Sequence, residues 1–102
     1  MNIQKMMQQA QQMQSKLAST QAELANKTVE ASVGGGKIIV TATGAGDIIS
    51  IKIDPSVVDP QDVEALEDLV LVGVKQAIEN GRELAASEMK KITGGMNIPG
   101  LT

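Results

Sequence analysis

The sequence predicts an α+β fold in the order α-β-β-β-α-α: a long N-terminal helix, a three-stranded antiparallel meander, and a C-terminal helix with a bend. Three observations predict it. Apolar residues recur at alternating three- and four-residue spacing through the first two dozen positions, then alternate with polar ones across three short runs, and return to helical spacing after an Asp-Pro pair. With 102 residues, the chain has room for about one domain.

Ile3, Met6, Ala10, Met13, Leu17, Thr20 and Leu24 form the a/d stripe of an arm helix over residues 1–26. At about 1.5 Å per residue this helix is nearly 40 Å long. One narrow stripe cannot bury so long a helix in a small core, so it projects from a body or pairs along its seam. Residues 28–54 then carry the sheet. Val29, Ala31 and Val33 alternate with polar residues, Ile38, Val40 and Ala42 alternate with Lys37, Ile39, Thr41 and Thr43, and Ile49, Ile51 and Ile53 continue the apolar face. Ile39 and Ile48 fall on the opposite face in this reading. Gly34-Gly35-Gly36 and Gly44-Ala45-Gly46-Asp47 supply the two turns, and the following helix covers the sheet.

Asp54-Pro55 stops the third strand. Asp59-Pro60 reads as an N-cap followed by proline at the first helical position, which opens the helical region 59–93. Asn80-Gly81 marks a bend or break in that region. Lys90 and Lys91 complement the dipole of its last turn, and Gly94-Gly95 ends it. Residues 94–102 form a tail too short and too rich in Gly and Pro to order itself.

The chain contains no Cys, His, Phe, Trp or Tyr. That excludes thiol and imidazole catalysis, zinc sites of the usual ligands, disulfides, and aromatic platforms for stacking bases. An enzyme is not expected, nor a cofactor, a metal or a small-molecule substrate. No apolar run approaches membrane-spanning length, and the Gln-interrupted N-terminus is not a secretory signal, so the expected location is the cytoplasm with no membrane partner. The net charge of −3 is unevenly placed. Residues 1–53 carry +2, residues 54–68 hold six acids and no base, and residues 69–102 carry +1. Any role that needs positive charge therefore uses the two ends of the chain.

Several motifs have competing explanations. The glycine turns lack the spacing of a P-loop or a dinucleotide fingerprint, and hairpin turns account for them. The acids of 54–68 suggest magnesium or acid/base chemistry, yet they stand where helix caps and the helix dipole favour carboxylates. The seam methionines 6 and 13, with Met7 beside them, fit a core or a helix-pairing contact. The Gln and Lys of the first helix fit either a solvated face or contacts to phosphates and adenine edges.

Taken together, KMMQQAQQMQ, the GGG before the second strand, IKIDPSVVD, LEDL and EMKKITGGMNIPG resemble the YbaB/EbfC family over essentially the whole chain. The resemblance implies a small homodimer of the bacterial nucleoid whose long helices project as tweezer-like arms. It implies binding of double-stranded DNA, with roles in nucleoid organisation and gene regulation. Carried onto this chain, the DNA-binding positions are Lys5, Gln8, Gln12 and Lys16 on the first helix, with Arg82, Lys90 and Lys91 on the last. A dimer interface is expected at Ile39, Ile48, Leu66, Leu69 and Val70. Such a dimer also fits the residues themselves, because the seam and the two-faced sheet offer more apolar surface than one small body can cover. Gln stands at many first-helix positions where family members carry charge, which implies modest, salt-sensitive affinity. The alternative is a helix-mediated protein-interaction adaptor associated with replication or recombination machinery.

Overall fold

The seam from Ile3 to Leu24 forms a single helix, α1 (Ile3–Leu24), in the computed structural model, which describes residues 2–93. Asn2 caps it, its side chain accepting from the Lys5 amide at 3.3 Å. Only Leu24 is buried on this helix. The Gly44 amide donates to the Leu24 and Lys27 carbonyls at 3.1 and 3.0 Å, which ties the end of α1 to the second sheet turn.

The period-two segments form β1 (Thr28–Val33), β2 (Ile38–Thr43) and β3 (Ile48–Ile53), an antiparallel sheet in the order β1-β2-β3. Gly34, Gly35 and Gly36 take φ of +64°, +68° and +86°, a run of left-handed backbone that residues with a Cβ rarely adopt. In the second turn, the Thr43 hydroxyl accepts from the Ala45 and Asp47 amides at 3.2 Å each.

One strand face differs from expectation. Thr41 pairs with Ser50 but Ala42 pairs with Ile48, so Ile49 is an extra, bulged residue. The bulge moves Ile48 from the face of Ile39 to the covered face, where it packs against the core of Ala31, Ile38, Val40, Ala42 and Ala77. Ile49 is exposed.

Asp54 caps a short 3-10 turn (Pro55–Val57), accepting from the Ser56 amide at 2.8 Å. Asp59 caps a tight turn rather than the helix, accepting from the Gln61 amide at 2.9 Å. The long helix α2 (Val63–Thr93) begins three residues later than expected from Asp59-Pro60, and Asp62 accepts from the Ala65 amide at its N-terminus. Three of the six clustered acids are therefore caps, as helix and turn geometry favours.

No break interrupts α2 at Asn80-Gly81: the helix runs continuously for 31 residues, about 46 Å, and the order is α-β-β-β-α. Gly81 serves close packing instead. A Cβ there would stand 2.6 Å from the Thr43 carbonyl oxygen. Gly73, Ala77 and Gly81, four residues apart, are the buried positions of α2 and lie against the sheet. The helix crosses β1 and β2 and scarcely reaches β3. Ile51 and Ile53, on the same face as Val40 and Ile38, are therefore left 42% and 39% exposed.

The last turns of α2 run beside α1. The molecule extends over 71 × 25 × 17 Å with a radius of gyration of 19.4 Å, against about 13 Å for a compact chain of this length. The expected tail at 94–102 lies outside the described residues, apart from which no helix is long and apolar enough to cross a membrane.

Candidate nucleic-acid interface

Helical geometry decides which polar residues of α1 act together. At about 100° per residue, Lys5, Gln8, Gln12 and Lys16 fall within an arc of about 80°. All four are exposed, and the arc adjoins the Met6–Met13 seam. The helix end that carries it lies beyond the sheet, so its amides and ammonium groups are not used by the fold. Among the described residues, Lys5, Lys16 and Lys90 make no ion pair.

Antiparallel to this arm, the end of α2 closes one side of a polar cleft of about 450 Å³. Lys16, Ser19 and Thr20 of α1 face Glu88, Lys91 and Ile92 of α2 across it. An adjoining apolar groove of about 610 Å³ runs along Met6, Ala10 and Met13 to Ile92. The structure thus brings Lys16 and Lys91 together from opposite ends of the chain. It does not bring Arg82 to them. That residue points about 180° away from Lys91, roughly 14 Å back along α2, with its guanidinium 3.9 Å from Glu79. Lys90 is exposed at the same end, rotated about 100° from Lys91.

Glu88 is the best-sheltered charge of the cleft, its side chain 17% exposed. Its Oε1 lies 3.3 Å from both Lys27 Nζ and Lys91 Nζ. The two lysines hold its carboxyl below the usual glutamate range, Lys27 foremost. At the far side of the sheet, Asp54 is likewise lowered, first by the Ser56 amide and then by Lys37, 3.6 Å away. Lys27 was not singled out from sequence. Nothing in its local pattern marks it, because its partner is 61 positions away and only the return of α2 beside α1 joins them.

The five residues expected at a dimer interface do not share one face. Ile48, Leu66, Leu69 and Val70 are half-buried against the chain's own core, whereas Ile39 is half-buried on the reverse of the sheet. Large apolar residues left open include Ile49, Ile51 and Ile53 on β3, Ile3, Met6 and Met7 on the arm, and Val63, Leu71 and Val72 on α2. Ile51 and Ile53 lie on the expected apolar face but beyond the reach of α2, whose position across the sheet has no local signal in the sequence.

A small α+β body with a projecting polar helix, and with lysines gathered from both chain ends, defines a binding protein. A profile of the YbaB/EbfC DNA-binding family matches residues 1–96, and the chain belongs to that family. It is 58% identical over 100 residues to a nucleoid-associated protein of Thermoanaerobacter sp. (strain X514), covering 98% of this chain and 90% of the relative. A nucleoid-associated protein of Akkermansia muciniphila is 52% identical over 99 residues, covering 97% and 95%. The fold is also that of an uncharacterized Helicobacter pylori protein whose crystal structure superposes with a TM-score of 0.63 at 18% identity, covering 76% of this chain and 90% of that one. The family is a DNA-binding one, not an enzymatic one.

Proposed function

We propose that this protein acts as a homodimer that binds double-stranded DNA without catalysis, in the bacterial nucleoid of the cytoplasm, where it contributes to nucleoid organisation and gene regulation. The observation that carries this reading is the single exposed arc of Lys5, Gln8, Gln12 and Lys16, with Lys16 set across a cleft from Lys91. Ammonium groups on such a track neutralise phosphates, and the glutamine amides donate to phosphate oxygens or read base edges. Duplex is favoured over single strands because the chain has no aromatic side chain on which an unpaired base can stack. The nucleoid-associated names of its relatives support the location.

Dimerisation is supported by the apolar surface left open on β3 and along the arm. A second copy related by a two-fold axis would cover such a surface and present two arms to one duplex. A gel-shift titration on random-sequence duplex at low salt tests the reading: a shift that weakens steeply with added salt is expected, and no shift at high protein concentration overturns it. Replacing Lys5 and Lys16 by Glu should abolish the shift while light scattering still reports the dimer. Unchanged binding would remove α1 from the interface.

A further inference from the structure

Besides the exposed arc, the edge of the cleft between α1 and α2 carries a cluster of three charges. One oxygen of Glu88 accepts both Lys27 and Lys91 at 3.3 Å, the first in the connection between α1 and β1 and the second one turn along Glu88's own helix. Lys16, Ser19 and Thr20 line the same cleft from the α1 side. A carboxylate that gathers ammonium groups from two elements beside hydroxyl donors occupies the position a backbone phosphate would take, since both anions accept from the same donors.

We propose that Glu88 is an internal phosphate mimic: it holds Lys27 and Lys91 in a preformed anion site where α2 meets the end of α1, and a DNA phosphate displaces it. This rests on the DNA-binding reading above and adds Lys27, Ser19 and Thr20 to the contacts. Both lysines are substantially exposed, at 43% and 71% for their side chains, so the pairs are solvent-screened and exchange is easy. Glu88 then sets the affinity. While bound, it competes with phosphate for two of the nine Lys and Arg residues of the chain, and after displacement its charge faces the incoming phosphate. The modest affinity implied by a glutamine-rich arm is in this view kept modest in part by one acid.

Glu23 also lines the cleft but makes no ion pair among the described residues, which makes it the internal control. Fluorescence anisotropy with a random duplex of about 25 base pairs compares the full-length protein with Glu88→Gln, Glu23→Gln and Lys27→Gln/Lys91→Gln, with and without Glu88→Gln. Glu88→Gln should tighten binding on the order of fivefold, the scale on which two exposed ion pairs compete. Most of that gain should vanish in the background lacking both lysines, and Glu23→Gln should give clearly less. Equal or weaker binding by Glu88→Gln, or an equal gain from Glu23→Gln, overturns the proposal, since the first makes Glu88 a support for the lysines and the second reduces its effect to bulk charge. If the wild-type protein itself does not bind duplex, the DNA reading falls and this proposal with it. Thermal melts of each variant, together with light scattering, separate these outcomes from a loss of fold or of assembly.

Discussion

At the scale of single residues, the clearest constraint is Gly81. In an isolated helix, alanine is preferred to glycine by about 1 kcal/mol. Here the added methyl would meet the Thr43 carbonyl oxygen at 2.6 Å, a backbone atom that cannot turn away as a flexible side chain can. Overpacking of this kind costs about 1–3 kcal/mol, and contact with backbone belongs at the upper end, so Gly81→Ala should be net destabilising. A calorimetric Tm several degrees below wild type is expected, and an unchanged or raised Tm would show that α2 does not sit this close to the sheet. The pH dependence is also set by single residues. Glu88 and Asp54 both have folded-state pKa values below the ordinary range. A depressed carboxyl adds stability above its unfolded pKa, and that stability is lost as pH falls through the folded value. Wild-type Tm should therefore decline on acidification below about pH 5. Glu88→Gln and Asp54→Asn should each melt lower than wild type at neutral pH and converge with it in acid.

At the scale of elements, α1 divides into two halves with different supports. Leu24 is buried and the helix end is hydrogen-bonded to the Gly44 turn, whereas residues 3–12 are exposed throughout. Amides of Met6–Gln12 should exchange with deuterium much faster than those of Leu69–Ala77, where α2 crosses the core. Comparable protection in the free protein would mean that the outer arm is covered by a partner copy. The elements readable in advance were those defined by local period: α1 from its three-four seam, and the strands from their alternation and the glycine turns. The continuity of α2 was not readable, because a glycine that breaks a helix and one that admits a neighbouring strand look alike until the neighbour is present. The Ile48 face was misread for the same reason, since a bulge is a property of the pairing between β2 and β3. In the binding site, the α1 arc followed from helical spacing alone. The junction of Lys16, Lys27, Glu88 and Lys91 depends on the antiparallel return of α2 and had no sequence signature.

At the scale of the whole molecule, DNA affinity measured against salt counts how many subunits engage the duplex. One subunit presents Lys5 and Lys16 on the arm and Lys91 across the cleft. Each neutralised phosphate contributes about −0.9 to the slope of log K against log salt, so one subunit gives a slope of about −2.7 and a two-fold pair about −5.4. Between 50 and 200 mM salt these predict losses of about 40-fold and about 2,000-fold, a difference well outside titration error. Light scattering on the same sample supplies the second coordinate, with a dimer expected near twice the chain mass of 10.7 kDa. Replacing Ile51 and Ile53 by Gln, which adds no charge, should lower that mass toward the monomer if the open strip of β3 is the shared surface. The slope should then fall to the single-arm value although every DNA-facing lysine remains. A monomeric variant that keeps the steep slope would show that one subunit contacts more phosphates than its arc and cleft provide, whereas a dimeric variant would move the interface to the other open apolar positions, Ile3, Met6 and Met7 on the arm or Leu71 and Val72 on α2.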